Sequence, residues 1–116
     1  MIEQPERGHF YWVRIPGEPG GKQRPALVVS VDSRNRNAGD VMVIPASTTL
    51  RSSMTHVHLR EGQGGVPREC VLKCEQLTTI PKEYVLDGPL SGPLSGLVMS
   101  AVEKGVLRSI GVPIDN

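Results

Sequence analysis

The sequence predicts an α+β fold: a small antiparallel sheet, curled or closed into a half-open barrel, followed by one helix. Thirteen glycines and ten prolines among 116 residues indicate many turns, and therefore short strands. Five short apolar runs precede a final segment in which apolar residues recur at helical spacing. A chain of this length supports a single domain, residues 1–116, with one modest core.

The first two strands are predicted on either side of a loop. His9–Ile15 is rich in aromatic and β-branched residues. Composition makes Pro16–Gln23 a loop and Pro25–Val31 a strand that is buried on both faces. Because proline has no backbone N–H, we expect Pro25 to be the first residue of its strand. Arg24 then lies at the rim of the sheet, where a fixed guanidinium suits a phosphate group.

Three further apolar runs are predicted as strands, and they are Asp40–Ile44, Thr55–Leu59 and Glu69–Lys73. Asp32–Gly39 has the composition of a turn, and Pro45 is expected to end the strand before it. The polar stretch 47–53 is a loop, and Gly62–Pro67 is a turn.

The end of the chain predicts one amphipathic helix. Apolar residues over 94–110 recur at helical spacing. Ser95 is a suitable N-cap, and Gly111 and Pro113 are expected to end the helix. The Gly-Pro-Leu-Ser segment that occurs twice over 88–95 is predicted to be a linker.

Cys70 and Cys74 are predicted to be reduced structural residues. Four residues along a strand span about 13 Å, which is too far for a disulfide. With His56 and His58 upstream a metal site is an alternative, but Cys-x3-Cys is not a standard zinc spacing. We expect no bound metal and no cofactor.

Charge and composition limit the classes of partner. A formal net charge of +1 excludes a polycation that coats nucleic acid, so any contact with RNA or DNA must be local. With four aromatic residues, the chain is also a poor candidate for binding chiefly by base stacking. No apolar stretch is long enough to cross a bilayer, and the polar start makes the cytosol the expected compartment.

Five segments occur in the order of a known family, and they are Gly8–Val13, Arg24–Ser30, Val43–Thr48, Thr55–Val57 and Cys74–Ile80. In them the chain resembles the MazF/PemK/Kid toxins of bacterial type II toxin–antitoxin systems. The resemblance implies a small SH3-like antiparallel β-barrel of the CcdB/PemK type with a C-terminal helix. It also implies a metal-independent, sequence-selective endoribonuclease that cleaves single-stranded RNA and leaves 2′,3′-cyclic phosphate and 5′-hydroxyl ends.

The resemblance also assigns catalytic residues. Arg24 matches the family's catalytic arginine, and Ser47 matches its catalytic threonine, with Thr48 as a neighbouring hydroxyl. Lys73 and Glu75 match an arginine and an aspartate that have catalytic roles in the Kid branch, although both are only analogues. We expect these two side chains to share one strand face, about 7 Å apart. His9 also departs from the family, which usually has an acidic residue there.

The general base stays open between Glu75 and Glu18, because an arginine is almost never neutral and a hydroxyl is a poor base. Gln76 matches a position that contacts substrate bases. The side chains expected to bind RNA are Glu18, Lys22, Thr49, Arg51, Lys73 and Gln76.

The resemblance implies two protein partners. One is a MazE-like antitoxin whose disordered acidic segment folds across a basic groove. The other is a second copy of the chain, because Phe10 and Trp12 give the first strand a second apolar face. The alternative function is a non-catalytic CcdB-like toxin or a binding module that acts through a protein partner.

Overall fold

The computed structural model describes residue 2 and residues 4–115. Within them the chain forms seven strands, which are β1 (Phe10–Arg14), β2 (Gln23–Val28), β3 (Asp40–Ser47), β4 (His56–Leu59), β5 (Cys70–Lys73), β6 (Thr78–Pro81) and β7 (Val85–Asp87). The two α-helices are α1 (Asp32–Asn37) and α2 (Gly96–Ser109). Short 3₁₀ turns lie at Pro19–Gly21, Gln63–Gly65, Cys74–Gln76 and Lys82–Tyr84. Neither α-helix is long and apolar enough to cross a membrane.

All strand pairs are antiparallel, and β3 is the central strand, which pairs with three others. One edge of β3 pairs with β2, which continues to β1 and β7. The other edge pairs first with β6, along Asp40–Val43, and then with β5, at Ala46 and Ser47. Pro45, which has no N–H to donate, lies where this change of partner takes place.

Side chains on the two faces of β1 belong to two different core clusters. Phe10 is fully buried in a cluster that includes Leu72 and the inner face of α2. Tyr11 and Val13 point the other way, into a second cluster formed by β2, β3, β6 and β7. Both faces of this strand are therefore apolar, as predicted.

The C-terminal helix agrees with the prediction. The Ser95 Oγ accepts a hydrogen bond from the backbone N–H of Val98 at 3.2 Å, which is the expected N-cap. Gly111 follows the helix with φ +90°, the left-handed conformation that glycine adopts after a helix end. Gly105 faces the core so closely that an added Cβ would lie 2.7 Å from the Cys74 Sγ.

Strand boundaries at the two prolines were predicted wrongly. β2 begins at Gln23, two residues before Pro25, and β3 continues through Pro45 to Ser47. Each strand extends past its proline because the neighbouring residues still pair: Gln23 and Arg24 pair with β1, and Ala46 and Ser47 pair with β5.

Three other elements differ from the prediction. Residues 32–37 form the short helix α1 rather than a turn. Strands β6 and β7 were not predicted, because four-residue and three-residue strands are too short to establish a periodicity.

Phe10 is fully buried, so it does not offer the exposed apolar face on which the dimer expectation was based.

Gly105→Ala should lower the free energy of unfolding by about 1–3 kcal/mol, because the added methyl group would overpack the contact with Cys74. Gly96→Ala is the matched control in the same helix, since nothing lies within 4 Å of its added Cβ. Urea unfolding of both variants measures the difference. Equal stabilities for the two variants would contradict the packing described here.

Candidate active site

A cavity of about 580 Å³ opens where β2 begins and β3 ends. Three parts of the chain form its walls, residues 22–25, 46–49 and 66–68, together with Trp12 and Cys70. Sites that bind small molecules usually have volumes of about 300–1,000 Å³. The cavity is therefore larger than a single phosphate group requires.

The register of the sheet brings Arg24 and Ser47 together although they are distant along the chain. β2 and β3 pair with Ala26 opposite Pro45. Continuing this register by two residues places Arg24 opposite Ser47, where both strands reach the rim of the sheet. The guanidinium and the hydroxyl groups that the resemblance singled out thus line one cavity.

Pro25 leaves a backbone carbonyl available to Arg24. Val29 donates to the carbonyl of Met42, so the alternation of an antiparallel pair puts Pro25 at the position that would donate to the carbonyl of Ala46. Proline has no proton to give. The Arg24 Nη1 lies 3.5 Å from that oxygen instead, a long contact that directs the guanidinium across the end of the strand pair.

An ion pair with Glu18 also holds Arg24. The Glu18 Oε1 lies 2.6 Å from the Arg24 Nη2, and the two side chains are 22% and 27% exposed. The Glu18 Oε2 and the Arg24 Nε are buried and have no hydrogen-bond partner among the described residues. Unpaired buried polar atoms cost about 1–3 kcal/mol each, so the ion pair carries one unsatisfied acceptor and one unsatisfied donor.

The end of β3 supplies three hydroxyl groups to the cavity, from Ser47, Thr48 and Thr49. The Ser47 Oγ accepts a hydrogen bond from the backbone N–H of Thr49 at 3.2 Å. A hydroxyl that accepts such a bond keeps its proton for donation, so Ser47 remains a donor toward the cavity.

Positive charge is concentrated at this site. The described residues that line the cavity include three cations, Lys22, Arg24 and Arg68, and no carboxylate. Glu18 does not line the cavity and is connected to it through its ion pair with Arg24. Since the formal net charge of the whole chain is +1, the cavity is the region best suited to an anion.

Glu75 is not among the residues that line the cavity. β5 ends at Lys73, and Glu75 lies in the 3₁₀ turn that follows, so the two side chains do not share a strand face as predicted. Glu75 accepts hydrogen bonds from the Thr55 Oγ1 at 2.7 Å and from the His56 Nε2 at 3.2 Å. The structure thus gives Glu75 a set of partners on β4 and the segment before it.

The other predicted RNA-binding residues are divided between two regions. Lys22 and Thr49 line the cavity. Gln76 is exposed in the turn after β5, and Lys73 pairs with His56 in the β4–β5 register. Arg51 lies outside the cavity lining. Its backbone carbonyl accepts a hydrogen bond from the His58 ring at 2.8 Å and lies 3.3 Å from the His56 Nδ1.

Trp12 and Arg68 were missed as lining residues by the sequence analysis. Trp12 lies on the same face of β1 as Phe10, and only the structure shows that the Phe10 ring is in the core while Trp12 lines the cavity. Arg68 follows a predicted turn, and nothing in the sequence says toward which strand that turn folds.

Both cysteines are free and buried, as predicted. Burial, with a smaller contribution from neighbouring Glu69, raises the pKa of the Cys70 thiol. Burial, followed by the charge of Glu75, raises the pKa of Cys74 to about 11. Both side chains are therefore neutral packing groups at physiological pH.

Comparison with known proteins gives the family. Residues 6–110 match the family described as PemK-like, MazF-like toxin of type II toxin-antitoxin system. The chain belongs to this family. A relative from Mycobacterium tuberculosis named "Probable endoribonuclease MazF5" is 25% identical over 108 residues, which cover 91% of this chain and 96% of the relative. "Probable endoribonuclease MazF2" from the same species is 28% identical over 76 residues, which cover 66% and 71% of the two chains.

Solved structures share the fold of this MazF-like chain. An endoribonuclease from a mycobacterial species has a TM-score of 0.79 at 23% identity, covering 99% of both chains. A mycobacterial endoribonuclease in complex with its cognate antitoxin gives 0.78 at 24% identity, covering 96% of this chain and 99% of the other. The MazE–MazF complex from Deinococcus radiodurans gives 0.77 at 20% identity, covering 97% and 100%. The α+β fold with a C-terminal helix is confirmed, and the family is one of endoribonucleases.

Glu75→Gln tests the network around Glu75. Partial burial raises the pKa of this carboxyl, but hydrogen bonds from Thr55, its own backbone amide and His56 outweigh that effect, so the pKa is lowered. A lowered pKa stabilises the fold above the unfolded-state pKa, and this stabilisation is lost as the pH falls through the folded-state value. The stability gap between the unmutated protein and Glu75→Gln should be widest above about pH 5 and should narrow below about pH 4.

Urea unfolding across this pH range measures the gap. Glu61→Gln, which removes an exposed carboxylate that makes no ion pair with a described residue, controls for the change in net charge. A gap that widens on acidification would contradict the assignment.

Proposed function

We propose that the chain is a metal-independent endoribonuclease that cleaves single-stranded RNA at selected sequences, and that it acts in the cytosol as the toxin of a toxin–antitoxin pair. One observation carries the proposal: the Arg24 guanidinium and the hydroxyls of Ser47 and Thr48 line the same cavity. Family membership supports the reaction class.

The charge of the cavity favours a phosphodiester substrate. Guanidinium groups bind phosphate oxygens through directed, charge-assisted hydrogen bonds. RNA also has a nucleophile of its own, the 2′-hydroxyl beside each phosphate, which DNA lacks. The protein then has to position the phosphate, stabilise developing charge and move two protons, and none of these tasks requires a metal ion.

The proposed step is an internal transesterification. The 2′ oxygen bonds to phosphorus, and the bond from phosphorus to the 5′ oxygen breaks. Arg24 stabilises the charge on the nonbridging oxygens and passes a proton to the departing 5′ oxygen, while Ser47 and Thr48 donate hydrogen bonds that orient the sugar-phosphate. The products are a 2′,3′-cyclic phosphate and a 5′-hydroxyl end.

Glu18 is the better of the two candidates for the base. One oxygen of its carboxylate holds Arg24, and the other has no hydrogen-bond partner among the described residues. In the proposed step this oxygen turns toward a substrate bound at Arg24 and takes the 2′ proton. Both oxygens of Glu75, in contrast, accept hydrogen bonds from neighbouring side chains.

The proposed partners are an antitoxin with an acidic disordered segment and a second copy of the chain. A near-neutral chain with a locally basic cavity suits an acidic segment that folds across the cavity. One of the solved relatives is in complex with its cognate antitoxin.

The homodimer is supported by exposed apolar residues on α2 and at its C-cap. Leu97 is 87% exposed and Ile110 is 70% exposed, and an interface would cover this apolar surface.

Arg24→Ala should reduce the rate of RNA cleavage by about 10²–10⁴-fold, because it removes both the phosphate ligand and the donor to the leaving oxygen. Cleavage of mixed-sequence single-stranded RNA in EDTA by the purified protein measures the effect, and analysis of the ends identifies the products. Arg36→Ala, which removes an exposed cation on α1, should retain full activity. If the unmutated protein leaves every sequence intact, the nuclease proposal fails and the non-catalytic alternative takes its place.

Glu18→Gln separates catalysis from binding. Without the carboxylate, cleavage should fall by about 10²–10³-fold because the base is lost. A 2′-O-methyl RNA, which has no nucleophile, should bind the variant as tightly as the unmutated protein or more tightly, because a negative charge beside Arg24 is removed.

Glu75→Gln is the matched carboxylate-to-amide control and should keep most of the cleavage activity. Loss of activity in Glu75→Gln with retention in Glu18→Gln would assign the base to Glu75.

A further inference from the structure

The segment between β4 and β5 is held in one conformation by short-range hydrogen bonds. The backbone N–H of Gly62 donates to the carbonyl of Val66 at 2.9 Å, and that of Val66 donates to Gln63 at 3.1 Å. The side chain of Gln63 accepts from the backbone N–H of Arg60 at 2.7 Å. The segment is therefore a closed turn that precedes the third wall of the cavity.

Two glycines allow this turn to pack closely against the core. Gly64 and Gly65 have φ values of +61° and +89°, which side chains rarely adopt. An added Cβ at Gly64 would lie 2.8 Å from the Phe10 ring, and one at Gly65 would lie 2.8 Å from the backbone of Leu90. Because the turn fits so closely, its position relative to β1 is fixed.

Val66, only 2% exposed, anchors the end of the turn in the core. Arg68 follows two residues later, is exposed, and lines the same cavity as Arg24. It makes no ion pair with any described residue, whereas Arg24 is paired with Glu18. The fold thus places Arg68, which has no ion-pair partner among the described residues, at the third wall of the cavity, residues 66–68.

We propose that Arg68 is a second phosphate-binding residue, which holds the RNA backbone at a phosphate next to the one that is cleaved. The cavity volume exceeds what one phosphate fills, and the walls carry Lys22 and Arg68 besides the catalytic arginine. A phosphate contact positions a nucleic acid without reading its sequence. Arg68 therefore contributes to affinity for any sequence and leaves the chemical step to Arg24.

This inference deepens the proposed function and rests on it. Loss of a phosphate contact should raise KM and leave kcat nearly unchanged, which is the pattern for uniform binding. It should also change the response to salt, since each phosphate contact to single-stranded nucleic acid contributes about 0.7 to the slope of log affinity against log salt concentration.

The test uses the whole protein and a fluorescent, mixed-sequence 2′-O-methyl RNA, which binds but has no nucleophile. Arg68→Gln should weaken binding by about tenfold at low salt and reduce the salt slope by about 0.7. Arg68→Lys should keep the slope because it keeps the charge. Arg60→Gln is the control, an exposed cation before the same turn that does not line the cavity.

The outcomes are separable. If Arg68→Gln matches Arg60→Gln in affinity and slope while the unmutated protein cleaves unmodified RNA, this inference is overturned and the nuclease proposal stands. If Arg68→Gln loses kcat in proportion to kcat/KM at unchanged affinity, Arg68 acts in the chemical step and its assignment as a binding residue is wrong. If the unmutated protein neither cleaves RNA nor binds the modified RNA, both proposals fall together. Thermal unfolding of each variant checks that the fold is retained.

Discussion

The geometry of the site depends on one constraint, which is that Pro25 has no backbone N–H. Without an N–H, Pro25 cannot satisfy the carbonyl of Ala46, so the strand pair ends with a free acceptor at its rim. Arg24 reaches toward that acceptor with one nitrogen and toward Glu18 with another. The guanidinium is therefore oriented by groups on two sides, while its third nitrogen remains without a partner among the described residues. Orientation before binding lowers the entropic cost of binding a phosphate.

The second proline contributes through the sheet. β3 exchanges β6 for β5 at Pro45, and the strand continues for two residues beyond it. That continuation places Ser47 opposite Arg24. Had β3 stopped at Pro45, as the sequence suggested, the hydroxyl groups would have been on an unpaired loop without a fixed relation to the guanidinium. Pro45 thus lies where β3 changes partner, and the two residues after it align the two halves of the site.

Much of the fold could be predicted from local patterns. Five strands and the capped C-terminal helix have clear periodicity, and the family resemblance located Arg24 and Ser47. The two errors at strand boundaries have a common origin, because a proline lacks a donor N–H but does not by itself end a strand. β6 and β7 were too short to be recognised, and α1 has the composition of a turn.

The positions of Glu75 and Arg68 depend on contacts between distant parts of the chain, which the spacing of residues in the sequence does not predict. Glu75 was expected to share a face with Lys73 because alternation was extended past the end of β5, where a 3₁₀ turn redirects the chain. Arg68 was overlooked because its position depends on glycines packed against Phe10 and Leu90, which are distant in sequence. Loop residues reach a site through such long-range packing.

The order in which the walls of the cavity occur along the chain has a consequence for synthesis. The first wall precedes residue 26, the second includes the end of β3, and the third lies after residue 65. The far end of β3 also lacks its β5 partner until residues 71 and 72 have been made. A nascent chain still emerging from the ribosome therefore holds its arginine and its hydroxyls without the scaffold that aligns them. The site of a growing chain is therefore incomplete until synthesis has passed residue 72.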